Sequence, residues 1–250
     1  MTSERSLQAA LDQVSAVRGW MSPDQAERLY RAASATRAGD QIVEIGSFQG
    51  RSTIVLAFGA PDGVAVVAID PHAGNDRGPQ EIDGFAEQAA GDHEQFNANL
   101  AAAGVADRVR HVREFSDRAH GAVAGEIEVL YIDGAHRYAP ARADIVEWGS
   151  RVAPGGTMLI HDSFSSVGVT LAILRELLAS SRFRYVGRAR SLTEFRADLD
   201  GTLRSRLGNA ALLLAQLPWF VRNLSIKVLI TAKLGGVLKA ITRREPEWPY

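Results

Sequence analysis

The chain has 250 residues, 46% hydrophobic and 23% charged, which is enough apolar material for a folded core and excludes a disordered or fibrous protein. It has no cysteine, so disulfides, thiolate zinc sites, iron–sulfur clusters and thiol nucleophiles are excluded, and any metal falls to carboxylate, histidine, carbonyl or hydroxyl groups. The net charge of −1 divides into an acidic body and a basic last fifth, in which Arg204, Arg206, Arg222, Lys227, Lys233, Lys239, Arg243 and Arg244 stand against Glu245 and Glu247. That distribution is not the footprint of a nucleic-acid-binding domain.

Two amphipathic helices come first, with Leu7, Leu11 and Val14 on one face of the first and Ala26, Leu29, Tyr30 and Ala33 on one face of the second. Strand-like and helix-like segments then alternate. Gln41–Ile45 is a strand and Arg51–Phe58 a helix. Val64–Ile69 reads as a fully buried strand. The polar stretch His72–Gly91 reads as a long loop, either a lid or a disordered surface loop. A helix (Asp92–Ala103), a strand (Arg108–Val112), a short helix (Arg118–Ala124) and the strand Glu128–Ile132 follow. Ala139–Arg151 is helical, Pro154-Gly155-Gly156 is a turn, Thr157–Ile160 a strand and Val167–Ser180 a helix. Phe183–Val186 and Ser191–Arg196 are two short closing strands. This alternation predicts βαβ units and a doubly wound, largely parallel sheet, whose ligands bind beyond the carboxyl ends of the strands.

Residues 201–250 read as a separate helical extension. Leu203, Leu207, Ala210, Leu214 and Leu217 form one apolar stripe that Pro218 is expected to end. Lys227, Lys233 and Lys239 are six residues apart and so spread around a helix, which weighs against one basic, membrane-facing side. Packing on the domain or on a second subunit, as a homodimer, is the simpler expectation; peripheral contact with a membrane is the other. The start of the chain lacks a signal-peptide pattern, and the apolar stretch Ala210–Val221 is too short to span a bilayer, so the expected location is the cytoplasm.

Chemistry is expected just after each strand. The first junction, Glu44-Ile45-Gly46-Ser47-Phe48-Gln49-Gly50-Arg51-Ser52, pairs a glycine-bearing turn with a helix N-terminus; its G-x-x-x-G spacing is not that of dinucleotide proteins. Asp70 ends the second strand, where a carboxylate can accept hydrogen bonds from ribose hydroxyls; a solvated turn aspartate is the alternative. Asp133 and His136 follow the fourth strand, and His161, Asp162 and Ser163 follow the fifth. Two aspartates with imidazole and hydroxyl neighbours suit Mg²⁺ or Mn²⁺, and His136 can take a proton from a substrate hydroxyl near neutral pH.

Taken in order, E-x-G-x-x-x-G-x-S, I-D-P, D-G-A-H-x-Y and P-G-G followed by H-D resemble the class I S-adenosylmethionine-dependent methyltransferases, nearest the small-molecule O-methyltransferases of the sugar and catechol type. The resemblance covers about residues 38–195. It implies a Rossmann-like, seven-stranded sheet with a reversed last strand, a methyltransferase domain over 1–200 (helices 5–36, core 38–196) and the basic extension outside it. It also implies that Glu44, Gly46, Ser47, Gly50 and Ser52 line the methionine part of the cofactor, that Asp70 binds the ribose and Ser116 the adenine edge, and that Asp133 lies beside the cofactor. Asp133, His161 and Asp162 become metal ligands and His136 the base. The relatives carry a carboxylate beside the second metal aspartate or an asparagine after it; here His161 and Ser163 stand there. His72, Asn75, Asp76, Tyr138 and Ser163 are the expected substrate contacts. The expected acceptor is a small saccharide-like polyol, because His136 is present and no aromatic clamp is evident; a catechol or phenol acceptor, or a non-catalytic cofactor-binding scaffold, are the alternatives.

Overall fold

In the computed structural model, which describes residues 6–74, 86–233 and 249, seven strands pair into one sheet. They are β1 (Gln41–Ile45), β2 (Ala65–Ile69), β3 (Val109–Val112), β4 (Ile127–Ile132), β5 (Val152–Ile160), β6 (Arg184–Ala189) and β7 (Leu192–Arg196). Their order is β3-β2-β1-β4-β5-β7-β6, the first five parallel and β7 antiparallel to both its neighbours. The order reverses at β1, between β2 and β4, which is where such sheets open a ligand crevice.

Alternate residues of the central strands feed two cores. Val43, Ile45, Leu130, Ile132, Met158 and Ile160 pack on one face beneath α5 (Tyr138–Glu147) and α6 (Val167–Leu177), around Trp148 and Phe164. Ile42, Val129, Tyr131 and Leu159 pack on the other with α1 (Leu7–Val14), α2 (Pro23–Ser34) and α3 (Arg51–Gly59). Strands buried on both faces explain the continuous apolar runs that made them visible in the sequence. Of the predicted α1 face, Val14 is buried and Leu7 and Leu11 only partly so, with Ala10 buried beside them; of the α2 face, Ala26, Leu29 and Ala33 are buried and Tyr30 is partly buried.

Several boundaries differ from expectation. α4 spans Ala86–Ala102, so the end of the segment expected to be a long loop is helical. The Pro154-Gly155-Gly156 turn lies inside β5. Ile127 pairs with Val152 but Val129 pairs with Thr157, and the excess residues bulge outward with Gly155 at φ 82°. The short helix at Arg118–Ala124 reduces to a 3₁₀ turn, Ala119–Ala122.

The extension departs most. Two helices, α7 (Leu203–Leu214) and α8 (Leu217–Thr231), meet at a turn, and Pro218 opens the second where it was expected only to end the first. Proline lacks an N–H that the first turn of a helix would leave unpaired, so it suits that position. Of the two packings expected for the stripe, on the domain or on a second subunit, the first does not hold, because it faces outward: Leu203 is 71% exposed and Leu207 62%. Inward, Leu213 is fully buried in the core with Trp219 and Phe220 packed against it, and polar anchors add to them. Asn209 accepts a hydrogen bond from the Tyr185 backbone N–H at 2.7 Å and donates to the Phe183 carbonyl, and Asn223 donates to the Phe164 carbonyl.

Candidate active site

Parallel pairing brings the residues after β1, β2, β4 and β5 to one rim. The Gly46 N–H bonds Ile69 O, the Asp133 N–H bonds Ile45 O and the His161 N–H bonds Ile132 O, each at 2.8–2.9 Å. Gly46 has φ 87°, and a Cβ there would lie 2.3 Å from the Asp133 carbonyl oxygen, so only glycine permits this approach of the two strand ends. Phe48, His72, Asp162 and Phe164 also take positive φ without being glycine, all beside this rim. Backbone of that kind persists where surrounding structure enforces it, commonly at functional sites.

A cavity of about 1530 Å³ opens over the rim. Gly46, Asp70, His72, Ser116, Asp133, His136, His161 and Asp162 line it, so eight of the expected site residues are gathered in one place. Asp70 is engaged already. One oxygen accepts the N–H groups of Ser47 (2.9 Å) and Phe48 (2.8 Å), and the other accepts that of His72 (2.7 Å). The carboxylate thereby shapes the glycine turn as well as facing the cavity.

Glu44, Ser47, Gly50 and Ser52 stand behind the cavity wall. The Glu44 carboxylate is fully buried and accepts hydrogen bonds from the Ser52 and Thr53 hydroxyls in the first turn of α3. Burial pushes its pKa up to about 7, against the pull of those hydroxyls. Its visible role is to tie β1 to α3, and Gly50 caps that helix in the left-handed conformation.

The chemistry concentrates at the ends of β4 and β5. Tyr131 donates to Asp133 Oδ2 at 2.7 Å and fixes that carboxylate. Asp133 Oδ1 is 3.1 Å from His161 Nδ1, and Asp162 Oδ2 lies 3.4 Å from the same nitrogen. His136 Nε2 is 2.7 Å from Asp162 Oδ2. Burial alone would lower the pKa of His161, but the two aspartates outweigh it and hold it well above the ordinary histidine range. Burial likewise opposes the charged form of His136, and the hydrogen bond to Asp162 with the nearby carboxylates raises it. Burial would raise Asp162, yet the two imidazoles hold it well below the usual carboxylate range.

Asp133, His136 and Asp162 each offer one ligand atom, all within 4.8 Å of one another. This donor set fits a divalent cation. His136, expected as the base, lies within reach of both aspartates, and His161, expected as a ligand, is buried against both carboxylates.

The expected substrate contacts fare unevenly. His72 lines the cavity but is 4% exposed, its ring packed against His93, Phe96 and His111 and its Nε2 2.7 Å from the Phe48 carbonyl. Ser163 is fully buried, bonded to Thr193 Oγ1 and the Ile160 carbonyl, and so is withdrawn from any substrate. Tyr138 is exposed at the start of α5 and does not line the cavity; Asn75 and Asp76 lie outside the described residues.

Other wall residues carried no local signal. Ser165 and Ser166 line the cavity where Ser163 was expected, and Lys227 reaches in from α8 to donate to the Ser165 carbonyl at 2.9 Å. Trp20, stacked on Phe48 at 5.8 Å between ring centroids, and Phe115 give the cavity aromatic walls. The sequence shows no evident aromatic clamp; these walls come from residues far apart in the chain. Trp20 precedes the sheet by twenty residues, so only the tertiary fold reveals it.

The comparisons with known proteins agree with this geometry. Residues 43–163 match the family described as Methyltransferase domain, Methyltransf_24. Cofactor-bound Rv0187 from MTB is 21% identical, over 78% of this chain and 88% of that one, with a TM-score of 0.52. The O-methyltransferase NovP is 16% identical over 70% and 80%, with a TM-score of 0.57. The SAH-bound methyltransferase PaMTH1 from Podospora anserina is 16% identical over 77% and 87%, with a TM-score of 0.55. At such identities the structural likeness speaks for the fold. The fold, the match over residues 43–163 and the arrangement of the rim are all similar to those of class I methyltransferases.

Proposed function

We propose that this protein is an O-methyltransferase that transfers a methyl group from S-adenosylmethionine to a hydroxyl of a small polyol, a sugar or an oligosaccharide precursor, with the help of Mg²⁺ or Mn²⁺. The observation that carries the reading is the convergence of Asp133, His136 and Asp162 on one wall of the cavity that also exposes Asp70 and Ser116. In this reading the donor lies along Gly46, Asp70 and Ser116, and the acceptor between the aspartates and the wall of Trp20, Ser165 and Lys227, all of which line the cavity.

In this reading His136 takes the hydroxyl proton as the oxygen attacks the methyl carbon. The new O–C bond forms as the C–S bond breaks, and the thioether product leaves without the sulfonium charge. Asp133 and Asp162, with His136 close by, would hold the metal, which supplies Lewis-acid stabilisation of the developing alkoxide. Tyr131 orients Asp133, and Asp162 orients His136, so each group is held by a hydrogen-bonded partner.

A catechol or phenol acceptor is the second reading, and Trp20, Phe48 and Phe115 favour it, since a flat ring can stack on such walls. Calorimetry with S-adenosylmethionine, with and without Mg²⁺, followed by a methyl-transfer screen over sugars, glycosides and catechols, tests both. Transfer to a saccharide hydroxyl supports the proposal; transfer to catechols alone replaces it. Binding of the donor without transfer to any acceptor favours the scaffold reading.

A further inference from the structure

We infer that the outer face of α7 and α8 docks on a lipid surface bearing anionic headgroups, and that this sets the mouth of the cavity at that surface. Leu203, Leu207, Ala210, Leu214, Leu217, Val221, Leu224 and Val228 follow one another at alternating steps of four and three residues, so they lie along one side of the helix pair. Six of the eight are exposed, from 37% at Leu224 to 71% at Leu203. Monomeric soluble proteins rarely leave so continuous an apolar surface uncovered.

The opposite side of the same helices is anchored. Asn209 and Asn223 hold backbone groups of the sheet domain, and Leu213 is fully buried in its core. Leu203–Thr231 reaches a mean hydropathy of 1.2 over eighteen residues, enough by composition to cross a membrane, but the anchored side and the turn before Leu217 hold it flat on the domain. An apolar face on a helix tied down along its other side is the geometry of a segment lying in the plane of an interface.

Charge decides between lipid and a second copy of this chain. From residue 203 to residue 233 the ionisable side chains are Arg204, Arg206, Arg222, Lys227 and Lys233, with no acidic residue among them. Helices that pair through such a stripe ordinarily set opposite charges along its edges. Self-pairing here sets basic residues against basic ones in either orientation. An anionic leaflet offers the complementary charge. Arg204, Arg222 and Lys233 are exposed beside the stripe, so the basic groups need not share one face to contribute. Leu224 and Val228 belong both to this face and to the cavity wall, which makes the docking surface and the mouth continuous.

The test uses the full chain and vesicles of phosphatidylcholine alone or of three parts phosphatidylcholine to one part phosphatidylglycerol, in co-sedimentation at low and high salt. The expected result is binding to the anionic vesicles at least about tenfold tighter than to the neutral ones, weakened by salt. A double variant, Leu207→Glu with Val221→Glu, is expected to lose that binding at least about tenfold while S-adenosylmethionine binding by calorimetry is unchanged, which shows that the domain still folds. Arg204→Glu should lower the preference for phosphatidylglycerol and leave the weak neutral binding alone. Equal, weak binding to both vesicles overturns the inference. So does a wild-type dimer in sedimentation velocity that the double variant splits, because the face is then an interface between copies. Neither result bears on methyl transfer, whose test reads turnover.

Discussion

His136 Nε2 lies 2.7 Å from Asp162 Oδ2, so the side chain expected to take the acceptor proton is tethered to one of the carboxylates expected to hold a metal. The tether orients the imidazole. His136→Ala deletes the proposed general base and leaves the surfaces around Asp70 and Ser116 intact. Turnover should fall about 10²-fold or more, the usual scale for a lost general base, with calorimetric affinity for S-adenosylmethionine unchanged. Turnover within a factor of two of wild type would remove His136 from the mechanism.

The proposed metal dependence rests on the converging carboxylates of Asp133 and Asp162. Chelation with EDTA should lower turnover at least about tenfold, and Mg²⁺ or Mn²⁺ should restore it. Asp133→Asn and Asp162→Asn should each resist that rescue. A chelated enzyme that keeps full activity would mean that His161, buried against both carboxylates, neutralises them on its own.

The parts of this site visible in the sequence are those fixed by local backbone. A buried parallel strand is an apolar run, and the residue that ends the run lands at the rim; that is why Asp70, Asp133, His161 and Asp162 are found together. His136 is three residues past a strand end and follows the same logic. What depends on helix rotation or long-range packing was not legible. Ser163 and Ser165 are near neighbours, yet one is sealed against Thr193 and the other faces the cavity, because the chain turns through positive φ at Asp162 and Phe164. Trp20 and Lys227 reach the site from the two ends of the fold. The apolar stripe of α7 was legible as a stripe, but which side the domain would hold was decided by Asn209 and Asn223, polar residues that a hydrophobic pattern overlooks.

Glu44 gives a pH prediction whose sign can be worked out. Burial raises its pKa in the folded chain from 4.5 to about 7. Between those values the folded state keeps a proton that the unfolded state has lost, so stability falls as pH rises from 4.5 through 7. The full difference amounts to at most about 3 kcal/mol. Glu44→Gln cannot titrate, and urea midpoints measured without cofactor should show a flatter profile across that window for the variant. Parallel profiles for the two proteins would show that Glu44 is ionised in the folded state throughout.

Two glycines on helices should respond to alanine in opposite directions. A Cβ on Gly168, in the first turn of α6, would lie 2.2 Å from the His136 carbonyl oxygen and 2.7 Å from the Tyr138 N–H nitrogen. Both are backbone atoms of the loop that carries His136, so the loop must move. Gly168→Ala should cost about 1–3 kcal/mol in urea denaturation, the range for forced overpacking. It should also lower turnover more than that loss of stability accounts for, since small displacements of a reacting group are expensive. Gly208, inside α7, has no atom within 4 Å of such a Cβ. Gly208→Ala should stabilise the chain by roughly 0.5–1 kcal/mol through helix propensity alone, with turnover unchanged. A Gly168→Ala protein that is fully stable but slow would separate the placement of His136 from the integrity of the fold.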